Sequence, residues 1–392
     1  MDDRSNVWKL YVIRFCSSLI PAYVIERLFW EERGMTIQMV VYTEILFAVT
    51  VVLTEVPTGI IADRRGRKPM LVLGALLGCV EFLLLVYATA FWHFVLVVFL
   101  AALARSAGSG AEHAMLYDSL LHEGKEREFE KYIGRLNALD IAATILAALC
   151  GSVLASRFGF ELNYWISFTA MCGALAISLL LQEPARSGEE TGEEPIPVRV
   201  YVTASLQFFR HRPGVRLVLL SGMVTGAAIG YLDEFWQIYL ERLHVPVVYF
   251  GLFSAGMFLL RLPGNVLAYR LTRRFSHRVL MSAVTAVLAA GFAYLSLYKD
   301  WGSLAAMSVI CLFAGVMEPL AAGYLHHRTD SSMRATIGSF QSLGENVVHV
   351  GIGLGFGYLS SKFDIFGGYG FIAVVCSLFF VYFVSASRKV VE

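Results

Sequence analysis

The chain has 392 residues, of which 57% are hydrophobic and only 16% are charged, and its mean hydropathy is +0.62. An apolar share so far above that of soluble domains excludes an ordinary soluble protein and indicates a polytopic membrane protein. The formal net charge of +1 gives no support for a nucleic-acid partner.

Twelve apolar runs are long enough to cross a bilayer, since about 20 helical residues span a hydrocarbon core of about 30 Å. We therefore predict an all-α membrane protein with twelve transmembrane helices. In chain order the predicted spans are residues 8–30, 38–62, 69–91, 93–120, 132–156, 161–182, 214–240, 246–271, 278–298, 301–325, 334–360 and 366–387.

The first span follows a short start of mixed charge and has no small-residue cleavage site, so we expect no signal peptide. It carries Arg14 in its inner part and Glu26 in its outer part, about 18 Å apart along a helix and therefore too distant to pair. Glu55 on the second span lies at the depth of Arg14, which predicts an Arg14–Glu55 ion pair. A buried strut and a substrate or proton role are both open for this pair.

A dense basic turn separates the second and third spans. Its cations cannot enter hydrocarbon cheaply, so the chain must turn back here; they are Arg64, Arg65, Arg67 and Lys68. Gly66 allows a positive φ and Gly59 leaves room for a neighbouring helix. Asp63 is expected to accept hydrogen bonds that lock the turn when two halves of a bundle close. We call residues 59–68 the signature loop.

The signature loop resembles the loop that major facilitator superfamily transporters carry between their second and third helices. The matching residues are Gly59, Asp63, Arg64, Gly66, Arg67 and Lys68. The resemblance implies two related bundles that alternate access to a site between them, with the loop as a cytoplasmic gate. Asp118, near the cytoplasmic end of the fourth span, is well placed to bind Arg64 or Arg67 as a structural latch.

The fourth span carries a polar stripe. Helical spacing puts its members on roughly one face; they are Arg105, Ser109, Glu112 and His113. Arg105 also resembles the arginine of a second signature of the superfamily, which implies proton transfer, although the glycines after it are out of step with the usual pattern. We expect Arg105 to hold Glu112 ionised until a proton binds, with His113 beside it. Proton coupling and structural pairing are both open here.

The linker after the sixth span is rich in Glu, Pro and Gly and lacks apolar periodicity, so it divides the spans into two groups of six. The predicted domains are an N-terminal six-helix bundle at residues 1–182, a cytoplasmic linker at 183–213 and a C-terminal six-helix bundle at 214–392. Within the linker, residues 198–212 suit a short surface helix.

The two bundles are expected to be pseudo-symmetric. Residues 262–264 (Leu-Pro-Gly) precede a basic loop as residues 56–59 (Val-Pro-Thr-Gly) do in the first half, although the second copy is degraded. In the eleventh span Glu345 and His349 share a helical face, and Glu318 lies on the tenth span. These three residues are further candidates for the proton path or the substrate cavity.

If the first span starts in the cytoplasm, most Lys and Arg residues fall in the loops on the cytoplasmic side. Both termini are therefore expected in the cytoplasm of a multi-pass plasma-membrane protein. The six cysteines fall within apolar runs, with no histidine at ligand spacing, and we predict neither a metal site nor a cofactor. The chain carries no motif for a nucleophile or a phosphate-binding loop, so we do not expect an enzyme. We expect a monomer.

These patterns favour a proton-coupled secondary transporter that exports a small organic molecule by alternating access, as a drug or metabolite:proton antiporter. The resemblance is to bacterial drug-efflux-like members of the superfamily. However, residues 147–152 (Ala-Ala-Leu-Cys-Gly-Ser) stand where exporters of the family usually carry a glycine-proline signature. An uptake symporter and a transporter of lipid-like substrates are therefore alternatives on the same fold, and a receptor or membrane enzyme without transport is another. The expected partners are the substrate, protons and the lipid bilayer.

Overall fold

A computed structural model describes residues 4–184, 212–327 and 334–388, and the regular structure in these ranges is helical. The helices of the first half are α1 (Arg4–Ser18), α2 (Glu26–Glu32), α3 (Ile37–Arg65), α4 (Arg67–Tyr87), α5 (Phe91–His122), α6 (Phe129–Phe158) and α7 (Glu161–Leu179). The helices of the second half are α8 (Pro213–Arg242), α9 (Phe250–Thr272), α10 (His277–Leu297), α11 (Gly302–His327) and α12 (Arg334–Ser387).

Ten helical segments among the described residues are long and apolar enough to cross a membrane. Two irregularities reconcile this number with the twelve predicted spans. The first span is divided between α1 and α2, neither of which is long enough alone. In α12, the backbone is not helical at Phe363 (φ −129°) and Asp364 (φ 56°), so this element contains two crossings. The helices thus match the predicted all-α fold with twelve spans.

The first predicted span is not one continuous helix. A 3-10 turn at Pro21–Val24 interrupts it, because Pro21 has no N–H to donate and its ring clashes with the preceding helical turn. Side chains of α7 bond the backbone groups that the break leaves free. Asn163 donates to the Pro21 carbonyl at 3.0 Å, and the Ala22 N–H donates to the Ser167 hydroxyl at 3.2 Å. Irregular backbone at membrane depth needs such partners, because hydrocarbon offers none.

The turn between α3 and α4 consists of a single residue, Gly66, whose φ is 109°. A Cβ added at this position would lie 2.8 Å from the carboxylate of Glu183. The backbone angle therefore favours glycine, and a Cβ at this position would also displace the Glu183 carboxylate. The predicted positive φ at Gly66 is confirmed.

Contacts divide the chain into two compact units. The first unit comprises Met1–Glu190 and Val245–Ala255, and the second comprises Thr191–His244 and Gly256–Glu392. The predicted linker and its surface helix fall largely outside the described residues, so the domain boundaries at 182 and 214 stay predictions.

Each unit has its own apolar core. In the first unit, buried side chains of α1, α4, α5 and α6 form one cluster that includes Leu10, Leu71, Leu116 and Leu136. In the second unit, buried rings of α8 and α12 pack together. The centroid of Phe356 lies 4.9 Å from that of Tyr231 and 5.0 Å from that of Phe235. These cores set which helix faces are left for polar groups.

Candidate functional site

One guanidinium in the first unit is shared by two carboxylates. Arg14 on α1 binds Glu112 on α5, and its Nη1 lies 4.0 Å from Oδ1 of Asp140 on α6. The Ser18 hydroxyl, one turn further along α1, donates to the same oxygen of Asp140. The side chain of Glu112 is 12% exposed and that of Arg14 is 27% exposed, so their contact is largely buried. We call Arg14, Glu112 and Asp140 the Arg14 cluster.

The Arg14 cluster has one more carboxylate than it has cations. Excess negative charge is costly within a membrane protein, and a proton on either carboxylate makes the cluster neutral. The cluster is therefore a candidate proton site. Asp140 is not among the predicted site residues; the signal that could have identified it is an acidic residue within the fifth apolar run.

The predicted Arg14–Glu55 pair is wrong. Glu55 is exposed on α3, whereas Arg14 contacts α5 and α6. The expected contact of Arg105 with Glu112 is also wrong, because Arg105 is exposed and the guanidinium bound to Glu112 is that of Arg14. Equal depth or a shared stripe does not bring two residues together unless packing turns both toward the same groove. His113 is exposed beside Glu112.

Glu26, the other candidate site residue on the first predicted span, lies at the start of α2 beside a buried ion pair. Its neighbour Arg27 is only 4% exposed and binds Glu44 on α3 at 2.6 Å. The Arg27 guanidinium also lies 4.5 Å from the centre of the Trp30 ring. Glu81 on α4 is close enough to Glu26 for their charges to interact. The Arg27–Glu44 pair joins α2 to α3 and is balanced in charge, which fits a structural strut.

Side chains and backbone of α5 and of the segment after α7 hold the start of α4, where the signature loop ends. Arg67 binds Asp118 on α5 and donates to the Ala114 carbonyl at 2.7 Å. The expected contact between Asp118 and the basic loop is thus present. Beyond the end of α7, the Glu183 carboxylate accepts from the backbone N–H groups of Arg67 and Lys68 at 2.7 and 2.8 Å. This cap satisfies two free amides and opposes the positive end of the helix dipole.

The gating role of the signature loop stays a prediction. Asp63 and Arg64 are exposed at the end of α3, and a Cβ at Gly59 would meet open space among the described residues. Sequence analysis missed Glu183, which is 116 residues from Arg67 along the chain. No local pattern relates two positions so far apart.

The second unit contains a cavity of about 580 Å³, a size typical of small-molecule sites. Small residues of α8 and α11 line part of it and so leave the space; they include Gly222, Gly226, Ala314 and Gly315. Polar groups of α8, α9 and α12 line the rest; they are Thr225, Arg261, Asn265, Glu345, Asn346 and His349. We call this space the polar cavity.

Arg261 on α9 contributes a guanidinium to the wall of the polar cavity. Its Nη2 binds Asp233 on α8, and its Nε is buried without an acceptor among the described residues. Neither residue is among the predicted site residues. An arginine within the eighth apolar run is the signal that could have identified Arg261, since such a residue usually faces a partner or a cavity.

Glu345 and His349, which were predicted to share a helical face, both line the polar cavity. The His349 ring stacks on buried Tyr231 with 4.4 Å between centroids, and the Tyr231 hydroxyl donates to the His349 carbonyl at 3.0 Å. The side chain of Glu318, the further candidate on α11, lies outside the described ones. In the part of the chain that the structure describes, no group of three or more His, Cys, Asp or Glu residues could hold a metal ion.

The sequence profile of the Major Facilitator Superfamily matches residues 10–346. An uncharacterized MFS-type transporter of Bacillus subtilis strain 168, YuxJ, is 24% identical over 223 residues, which are 55% of this chain and 54% of that protein. The multidrug resistance protein MdtL of Klebsiella pneumoniae strain 342 is 27% identical over 124 residues, 31% of each protein. The chain thus matches about half the length of the first relative and about a third of the second.

Solved structures of transporters align with nearly the whole chain. The nucleoside transporter NupG has a TM-score of 0.78 at 12% identity, over 99% of this chain and 100% of that one. The D-xylose-proton symporter has a TM-score of 0.70 at 13% identity, over 100% of this chain and 99% of that one. At such low identity the likeness shows the fold alone.

Proposed function

This chain belongs to the Major Facilitator Superfamily, and on that premise we propose that it is a proton-coupled secondary transporter that exports a small organic molecule by alternating access. Membership places it among membrane transporters rather than enzymes. The observation that carries the coupling is the Arg14 cluster, in which two carboxylates share one guanidinium.

Arg14 acts in this proposal as a movable counter-ion. While it binds Glu112, that carboxylate stays ionised, because an opposite charge in contact favours the charged form. A shift of Arg14 toward Asp140, whose oxygen is already within 4.0 Å of Nη1, removes the counter-ion from Glu112. Glu112 then binds a proton. A conformational change that moves α1 against α5 and α6 is thereby linked to protonation.

Export rather than uptake is supported by the resemblance of the signature loop and by the likeness to MdtL over a third of the chain. An uptake symporter or a transporter of lipid-like molecules is the second candidate. The observation in its favour is the absence of proline from residues 147–152 of α6, where exporters of the family usually carry it. The direction of solute movement under a fixed pH gradient decides between export and uptake.

Reconstituted liposomes containing a trapped pH indicator test the coupling. Three solutes of different chemistry are supplied in turn: ethidium, D-xylose and L-phenylalanine. We expect the transported solute to dissipate an imposed pH gradient with the wild type. Glu112→Gln should abolish this proton movement while solute exchange at equal pH persists, because exchange needs no net proton transfer.

The matched control is Glu128→Gln, which removes a carboxylate that pairs with Lys131 at 2.6 Å on the exposed surface. It should behave as the wild type. Unchanged proton movement in Glu112→Gln would contradict the role of Glu112 and direct attention to Glu345 and His349. Solute accumulation without any proton movement would contradict coupling itself.

A further inference from the structure

Among the described residues, the wall of the polar cavity carries a guanidinium and a carboxylate on different helices. Arg261 belongs to α9 and Glu345 to α12, and His349 lies one turn further along α12. The side-chain amides of Asn265 and Asn346 also line the space. A wall with this composition offers hydrogen bonds and charges of both signs to whatever occupies it.

The guanidinium of Arg261 is not saturated by its partner. Asp233 binds Nη2, and Nε has no acceptor among the described residues, although a guanidinium has five N–H donors. Its planar fork suits a carboxylate, which can accept two of these hydrogen bonds at once. Asp233 keeps the arginine in place and balances its charge while donors remain for a second acceptor.

The charges around the polar cavity also restrict the class of ligand. A simple anion would add negative charge near Glu345 and Asp233, and a simple cation would leave the remaining donors of Arg261 without an acceptor. A lipophilic ligand would cover the Arg261 guanidinium without offering an acceptor to its remaining donors, which is costly. A molecule that carries one negative and one positive group is complementary to both Arg261 and Glu345.

We propose that the polar cavity recognises a small zwitterion, with its carboxylate bound by Arg261 and its ammonium group facing Glu345. This inference rests on the proposed transport function and names the class of substrate. The amides of Asn265 and Asn346 supply further hydrogen bonds to the same ligand.

Three probes that share the 2-phenylethyl group test the requirement for both charges. L-Phenylalanine carries both charged groups, 3-phenylpropanoate lacks the ammonium group, and 2-phenylethylamine lacks the carboxylate. The dipeptide alanyl-phenylalanine adds a zwitterion with a larger charge separation. Binding to the purified full-length protein is measured by the shift of its unfolding temperature with probe concentration. We expect at least one zwitterion to bind, and each single-charge analogue to bind at least tenfold more weakly.

Two variants test which residue recognises each charged group of the ligand. Arg261→Lys keeps the positive charge but loses the fork, and Glu345→Gln removes the negative charge; each should weaken binding of the zwitterion at least tenfold. Arg273→Lys is the matched control, because the Arg273 guanidinium lies over the Tyr269 ring at 4.8 Å and not in the cavity. It should bind as the wild type does. If Arg261→Lys does not fold, Glu345→Gln still tests the proposal.

The inference is overturned if neither zwitterion binds, or if a single-charge analogue binds as tightly as L-phenylalanine. It is equally overturned if both cavity variants bind as the wild type does. Proton-driven transport of ethidium or D-xylose, with no response to zwitterions, would overturn it and leave the proposed function intact. Binding of a zwitterion without proton movement would support the site and contradict the proposed coupling.

Discussion

The surroundings of two arginines in the first unit distinguish a structural ion pair from a cation that can change its partner. Arg27 binds Glu44 and is almost fully buried, so moving it would strand two charges. Arg14 has two carboxylates within reach, and both it and Asp140 retain exposed surface. A cation with alternative acceptors can change partner at small cost, which suits a group that must respond to a proton.

A double-mutant cycle on Arg14 and Glu112 tests their contact. Arg14→Gln leaves the Glu112 and Asp140 carboxylates without their cation, so we expect it to destabilise the protein by about 3 kcal/mol. Glu112→Gln should cost less, because Arg14 keeps Asp140. The double variant should recover part of the loss, as measured by unfolding of the purified protein. Strictly additive losses would show that the two residues do not interact.

At the scale of the element, side chains from distant helices stabilise the breaks and ends of the spans. Asn163 and Ser167 of α7 bond the break between α1 and α2. Asp364 stands at the division of α12, where it accepts from Arg242 Nε at 2.6 Å and from the Ile365 N–H at 2.8 Å. Each break is thus stable because another helix or its own turn supplies the missing hydrogen bonds.

Asn163→Ala is expected to destabilise the protein by about 2 kcal/mol, because it leaves buried carbonyls without a donor. The Asn163 amide donates to the Pro21 carbonyl at 3.0 Å and to the Gly151 carbonyl at 2.9 Å. Thr169→Ala is the control on the same helix, since its exposed hydroxyl bonds only the Trp165 carbonyl of its own helix. Thermal unfolding of both variants measures the difference, and equal stability would contradict a special role for Asn163.

Glu183→Gln is expected to loosen the first turn of α4. The loss of charge weakens the cap on the Arg67 and Lys68 amides by about 0.5 kcal/mol, so these two N–H groups should exchange with solvent faster. Hydrogen exchange measured by mass spectrometry on the peptide that contains them provides the readout. Glu128→Gln should leave this peptide unchanged. Unaltered exchange in Glu183→Gln would mean that the cap does not hold the signature loop.

At the scale of the whole molecule, the signature loop has one side fixed and one side exposed. Arg67 is held to α5 through Asp118, whereas Asp63 is exposed at the end of α3. A loop that is held on one side and presents an exposed carboxylate on the other suits a gate that closes and opens as the transporter changes state. The predicted role of Asp63 concerns transport and not the stability of the first unit.

Asp63→Asn keeps the size of the side chain and removes its charge. We expect slower transport and greater accessibility of the cytoplasmic side to a water-soluble thiol reagent, with normal membrane insertion, because the carboxylate stabilises the closed gate. Asp300→Asn removes an exposed carboxylate between α10 and α11 and should change neither property. Normal flux in Asp63→Asn would contradict the gating role.

The sequence by itself determined the class of the protein and much of its order along the chain. Apolar runs of sufficient length must form helices in lipid, because hydrocarbon provides no hydrogen bonds to the backbone. The short turn between residues 62 and 69 followed from its basic residues, although the structure reduces it to Gly66 alone, and the shared face of Glu345 and His349 followed from helical spacing. These properties are local, so the order of residues is enough to predict them.

Only the tertiary structure decided which charged groups meet. Arg14 binds Glu112, 98 residues away, and not Glu55, which the same depth in the membrane had suggested. Arg261 lines the polar cavity and binds Asp233 of another helix, a contact that helical spacing within either helix could not predict. Helical periodicity predicts which residues share a face of a helix. Which helix lies against that face depends on how whole helices pack, and this packing is determined by the apolar cores of the two units.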